Sequence, residues 1–229
     1  MKALHIRFEG FTASFRYPML RTGTQASTPT PGYSNLLGMI GACAGREVGP
    51  EETRVGFEYR CRSTGNTELE RTVRWKMGPR GLIPHPEGQG ITYRQFHVSP
   101  QLDLYLTNLN LRSFFEGPVV TPCFGRSQDI AWIRFVHEIE LFPVETGDIG
   151  PTLLPGMQTG IPGIPVRLAE YFHNNRLGYT RQPGPIGLFQ AITPLGGLRY
   201  EVRLSNLFHP SDANDTEDAI YLHEWSVDT

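Results

Sequence analysis

Period-two alternation of apolar and polar residues recurs along the first two thirds of the chain and limits what it can fold into. Leu4, Ile6 and Phe8 alternate with His5, Arg7 and Glu9, and Leu102, Leu104 and Leu106 alternate with Asp103, Tyr105 and Thr107. Further on, Ile133, Phe135, Ile139 and Leu141 share a face with His137, opposite Arg134, Glu138 and Glu140. Successive side chains of a strand point to opposite sides, so each run predicts a strand with one buried face. Val55 to Cys61 reads as another strand, giving four in the first part of the chain.

Between the first and second strands lie a long Thr/Ser/Pro-rich loop, Gly10 to Gly32, and a helix. That helix carries Leu36, Leu37, Ile40 and Cys43 on its buried side, with Ser34 as N-cap and Gly45 as the stop. Two arms, Thr72 to Met77 and Ile91 to Val98, flank a Gly/Pro-rich tip running from Gly78 to Gly90, which predicts a long hairpin spanning 63–98. A short helix is expected over Asn108 to Glu116. The order is then βαββαβ with a hairpin insertion, the pattern of an α+β, ferredoxin-like (RRM-like) sheet. This domain is expected over 1–143. The remainder, 144–229, reads as Gly/Pro-rich loops and a β-rich C-terminal extension, with a helix at Leu168 to Asn175 and strands at Gly187 to Ile192, Leu198 to Leu204 and Ala219 to Trp225.

Net charge is −2, but its distribution is uneven. Up to Phe135 there are 16 Lys plus Arg against 11 Asp plus Glu, and from Val136 onward 5 against 12. Lys2 and Lys76 are the only lysines; the other 19 cations are arginines. Arginine combines a planar fork for phosphates with a flat face for bases, so a polyanion surface on one side is indicated, with an Arg-rich genomic composition as the competing account. Cys43, Cys61 and Cys123 are far apart and form no zinc or disulfide pattern. The N-terminus lacks a signal peptide's apolar run and no stretch is apolar enough to span a bilayer, so a cytoplasmic protein without membrane contact is expected.

Three clusters are candidate nucleic-acid contacts. Ser14, Phe15, Arg16, Tyr17, Arg21 and Thr22 combine cations, hydroxyls and rings in one loop, the mixture that single-stranded RNA requires. The alternative is that Phe15 and Tyr17 anchor the loop to the core. Gly125, Arg126 and Ser127 place a glycine beside an arginine, where backbone N–H groups can approach an anion; an ordinary positive-φ turn explains the same residues. The hairpin contributes Arg74, Lys76, Arg80, His85, Tyr93, Arg94 and His97, a basic arm with an aromatic among its cations, or else a solvated tip. The seven histidines show no HxH or HExxH spacing, and there is no GxSxG or Walker loop, so no metal, cofactor or catalytic residue is assigned.

Two of these clusters carry a resemblance. Phe8-Glu9-Gly10, Ala13-Ser14-Phe15-Arg16 and Pro18, followed by the run Thr28 to Ala42 with Pro29, Pro31, Gly32, Tyr33, Ser34, Gly38 and Ala42, resemble the N-terminal signature of the CRISPR-associated Cas-five family. Pro122 to Gln128, with Phe124-Gly125-Arg126-Ser127, resembles that family's second signature, where Leu usually precedes Gly-Arg. Gly32 also departs from the proline often found before Ser. The resemblance implies a RAMP-type ferredoxin fold with a β-hairpin thumb. It further implies a non-catalytic crRNA-binding subunit of a type I Cascade in antiviral defence, capping the 5′ handle, with subtype I-B indicated. The implied partners are the Cas-seven backbone subunit, the Cas-eight large subunit and, indirectly, target DNA. Tyr33 and Ser34 join the RNA-binding set through the first motif. One branch of the family cleaves precursor crRNA without metal, using a Tyr and a Lys-His pair. Neither lysine here is followed by His, yet Tyr17, Tyr33, His85 and His97 leave an endoribonuclease open as the alternative.

Overall fold

Six strands assemble into one sheet, and the alternating segments form its centre. In the computed structural model, which describes residues 1–18, 23–174 and 181–226, the elements in chain order are β1 (Lys2–Gly10), β2 (Thr12–Ala13), β3 (Thr24–Gln25), α1 (Tyr33–Ala44), β4 (Val55–Arg60), β5 (Ser63–Gly78), β6 (Gly81–Val98) and β7 (Gln101–Leu106). A 3₁₀ turn (Leu109–Leu111) leads into α2 (Arg112–Glu116), then β8 (Ala131–Ile149), β9 (Leu153–Pro155), β10 (Ile164–Ala169), β11 (Phe172–Asn174), β12 (Arg181–Pro183), β13 (Ile186–Ala191), β14 (Tyr200–Pro210) and β15 (Asp218–Tyr221). The sheet order is β14-β15-β8-β1-β7-β4, and β1 runs antiparallel to both β7 and β8. The fold is thus mixed but strand-rich, with few helices. None of the described helices is long and apolar enough to cross a membrane.

Leu4, Ile6 and Phe8 pair in register with Leu106, Leu104 and Leu102, and this face packs with α1 in the main core. The opposite face is not the solvated one that alternation predicts. His5 and Asp103 are buried there, and Ala3, Tyr105, Ile139 and Leu141 form a second apolar cluster with Ile220 and Leu222. His5 bonds Asp103 through Nε2 at 2.9 Å and Asp212 through Nδ1 at 2.6 Å, tying the 211–217 turn onto this face. A bulge between Arg7 and Phe8 in the β1–β8 register separates Ile133, which pairs with Phe8, from Phe135, which pairs with Arg7. The four β8 residues expected on one face are therefore divided, and His137 is exposed against Phe135 and not a core residue. β8 runs unbroken through 143, so the expected domain boundary falls inside a strand whose first half pairs β1 and second half β14.

α1 forms because Leu36, Leu37, Ile40 and Cys43 recur at helical spacing and are buried. Its N-cap is Gly32, not Ser34; the Asn35 side chain accepts from the Gly32 N–H at 3.1 Å. Gly45 closes it with φ 66°, a left-handed conformation that suits glycine. The segment 164–174 is β10 and β11, not a helix, because β10 finds a full ladder on β13; residue 175 lies outside the described residues. Near the C-terminus, His223 stacks on Tyr33 with ring centroids 3.9 Å apart, and Trp225 donates to the Thr53 carbonyl at 2.8 Å. Glu170 accepts from the Ser226 hydroxyl at 2.6 Å and lies 3.0 Å from His223 Nε2.

The hairpin spans the expected 63–98, but its paired arms are longer than the sequence pattern suggests, because β5 and β6 close through Pro79 and Arg80 alone, with Gly78 opposite Gly81. The Gly/Pro-rich stretch expected as a tip lies within β6. Trp75 faces Pro84 while Val73 faces Gln89, so residues 85–88 are accommodated as a bulge. Leu69, Val73, Trp75 and Met77 occupy alternate positions on β5, facing Tyr93, Gln89, Pro84 and Leu82 in turn. Trp75 is 56% exposed and Met77 78% exposed, so one face of this ribbon is a bare apolar stripe. The other face carries Glu68 opposite Arg94, and the Arg74–Glu87 pair.

Candidate nucleic-acid interface

The two motif loops, more than a hundred residues apart in sequence, meet at the foot of the hairpin. Ser14 N–H donates to the Phe124 carbonyl at 2.9 Å, and Thr12 Oγ1 donates to Asp129 at 2.6 Å. Gly125 has φ 101°, and a Cβ there would stand 2.1 Å from the Ser14 carbonyl oxygen. The glycine is needed for this loop-to-loop contact, which accounts for it without an anion.

Several of the expected contact residues are committed to the protein itself. Phe15 is 1% exposed, edge-on to Tyr59, His97 and Phe124, so it anchors the loop and no base can stack on it. Ser14 is buried and donates to the Gln95 carbonyl. Tyr33 is buried, its hydroxyl donating to the Leu153 carbonyl at 2.6 Å, and burial raises its pKa well above the ordinary value. Arg126 pairs with Asp129 at 2.7 Å, with Glu70 at 2.8 Å and with Glu68. Burial opposes its charge, but the hydrogen bonds it donates to these carboxylates outweigh it and raise its pKa. Three anions around one guanidinium leave no fork for a phosphate.

What remains available is narrower. Arg16 is exposed and has no ion-pair partner among the described residues, while Tyr17 is half-buried with its N–H on the Ala26 carbonyl. Ser127 is exposed; Ser34 is half-buried beside a surface cavity of about 660 Å³. Arg21 and Thr22 lie outside the described residues. On the hairpin, Lys76 and Arg80 are exposed without ion pairs among the described residues, Arg74 pairs with Glu87, and Arg94 pairs with Glu70 at 2.7 Å. His85 is half-buried in the bulge and Tyr93 is exposed. His97 is 2% exposed, and burial lowers its pKa to about 4. The apolar stripe of the hairpin was not among the sequence candidates, although its alternation stands in the sequence at Leu69, Val73, Trp75 and Met77.

No protein-family model and no curated protein matches the chain. Solved structures do. A chain of a CRISPR RNA-guided surveillance complex superposes with TM-score 0.54 at 14% identity, covering 88% of this chain and 91% of that one. A CRISPR protein from Archaeoglobus fulgidus covers 96% of this chain and 98% of its own length at 10% identity, TM-score 0.46. The likeness to the surveillance-complex chain is one of fold, and it extends through nearly the whole of both chains.

Proposed function

We propose that this chain is a non-catalytic, crRNA-binding subunit of a type I CRISPR Cascade, of the Cas-five kind and subtype I-B, holding the 5′ handle of the guide. The observation that carries the reading is the fold shared with a chain of an RNA-guided surveillance complex, in a protein whose two family-like motifs join at one place. On this reading the four strands β4, β7, β1 and β8 are the ferredoxin-like RAMP sheet and β5–β6 is the thumb. The thumb's bare apolar stripe meets the Cas-seven backbone or Cas-eight large subunit, and target DNA is reached through the complex. Arg16, Lys76 and Arg80 are the cations left to face phosphates.

The endoribonuclease reading is weakened by placement. Tyr33 and His97 are enclosed, and His85 lies on the order of 30 Å along the hairpin from His97 at strand rise. Incubating the protein with repeat RNA in EDTA and resolving the products on one gel tests both readings. The expected result is retarded, intact RNA; metal-free cleavage at one position would make the chain a nuclease, and unretarded RNA would remove the handle reading. Arg16→Ala is expected to flatten the log–log salt dependence of affinity by ~0.7, the contribution of one phosphate on a single strand.

A further inference from the structure

We infer that the cavity at the foot of the hairpin, walled by Gln95 and His97 on β6 and by Ser27, Thr64 and Thr193, is a pocket for one splayed-out nucleobase of the bound RNA. The inference rests on the RNA-binding reading above and adds to it a subsite with a defined chemistry.

The cavity holds about 360 Å³ and lies between the hairpin foot, the loop after β3 and the β10–β13 layer. That volume is at the small end of the range for organic ligands. Its wall carries no carboxylate, lysine or arginine. A phosphate or a charged metabolite would find no counter-charge there, whereas a neutral heterocycle would leave no charge unpaired. Polar groups are nonetheless present, and their hydrogen-bonding senses can be worked out.

Tyr59 is fully buried, and its hydroxyl has one partner among the described residues, His97 Nδ1 at 2.8 Å. We assign the phenolic proton to Nδ1, which places the ring proton on Nε2. Burial keeps the imidazole neutral at physiological pH. Nε2 has no hydrogen-bond partner among the described residues and is not one of their sealed, unsatisfied polar atoms, and His97 lines the cavity. An acceptor supplied by a ligand would replace water at this nitrogen and be strengthened by the exclusion of solvent from the cavity.

Gln95 stands two residues before His97, hence on the same side of β6. Its Oε1 accepts from the Ser27 N–H at 3.3 Å, which orients the amide and leaves its NH₂ as a donor. Two donors side by side call for an edge with two neighbouring acceptors, such as guanine O6 and N7 or cytosine O2 and N3. The mouth is placed for a strand to pass. Arg16 bridges Ser27 through the backbone, and it is the exposed, unpaired arginine of the first motif. Phosphates at Arg16 and a base turned inward at Ser27 is the usual division of labour in single-strand recognition.

The test uses the full chain and a synthetic single-stranded repeat RNA in which one nucleotide at a time is made abasic. The wild type is expected to lose about tenfold in affinity at one position, the worth of a base-edge hydrogen-bond set. Thr193→Tyr places a ring at the exposed rim of the cavity without touching the core. It should weaken intact RNA by about the same factor and make the abasic substitution at that position neutral. Gln95→Leu should relax the preference for guanine or cytosine at that position alone. A Thr193→Tyr protein with wild-type affinity and an unchanged positional profile would overturn the pocket, as would an abasic series with no sensitive position, while RNA binding itself would stand. Absence of any repeat-RNA binding by the wild type would overturn both.

Discussion

The foot of the hairpin and its far half are built from the same kinds of residue and behave in opposite ways. At the foot, Phe15, Tyr59, His97 and Phe124 form a ring cluster edge to face, and Arg126 is enclosed by Asp129, Glu70 and Glu68. Beyond it, Trp75, Met77, Leu82, Ile91 and Tyr93 are exposed, and Lys76 and Arg80 lack ion pairs among the described residues. Residue type alone does not separate a structural cluster from a recognition surface. The difference lies in whether the protein itself supplies the partner; the ring and carboxylate clusters of the foot are a source of stability, and on the proposed reading the arm is a source of association.

Substitutions at the foot should therefore have the larger effects on folding. Phe124 is fully buried, so Phe124→Ala is expected to cost about 3–5 kcal/mol in denaturant melts, the range for a deleted core ring. A loss below about 1 kcal/mol would mean that the cluster is looser than its geometry. Asp129 is 0% exposed and holds both Arg126 and Thr12, so Asp129→Asn should cost about 3 kcal/mol. The low end of the range applies because Glu68 still reaches water.

Acid titration sharpens the same contrast. Glu70 is partly desolvated, but hydrogen bonds from Arg94 and Arg126 hold its pKa below the ordinary 4.5. A depressed carboxylate adds stability above its unfolded pKa and loses it as pH falls through the folded value. Melting temperature should thus fall below about pH 4.5, and less steeply in Arg126→Met. His5 works in the opposite sense. Burial opposes its charge, yet Asp103 and Asp212 raise its pKa above 6.5. Its contribution is complete below 6.5 and is lost as pH rises through the folded value, which His5→Gln should abolish.

The smallest effect on folding belongs to the arm. Trp75→Ser with Met77→Ser should change monomer stability by less than about 0.5 kcal/mol, as for exposed positions generally. On the proposed reading, the same double variant should lose copurification with partner subunits. A marked loss of monomer stability would show that the stripe is packed in the free chain.

The strands and α1 were legible because their periodicity is local. β1 and β7 could be read from alternation, and α1 from four apolar positions closed by Gly45. Anchoring of Phe15 in the core was legible as the alternative to base contact, whereas burial of Tyr33 was not, because it depends on His223 and Trp225, distant in sequence. The commitment of Arg126 had one local sign, Asp129 three residues on; its other partners lie on β5. The apolar stripe was present as alternation at Val73, Trp75 and Met77, interleaved with Arg74 and Lys76 and interrupted between Leu69 and Val73 by Arg71. The helix expected at 168–175 failed because apolar spacing over a few residues cannot distinguish a turn of helix from a short strand with a partner elsewhere.

The stacking of His223 and the edge-on packing of Trp225 on Tyr33 have a consequence in time. At roughly 5–20 residues per second, the ribosome delivers these rings on the order of 10–40 s after the start of α1. During that interval Tyr33 and its neighbours have no lid, and the nascent sheet presents a sticky seam to other chains. Yield in the cell should accordingly depend on what shields that seam before translation reaches Trp225, and slowing elongation downstream of β13 should lower soluble yield without altering the finished protein.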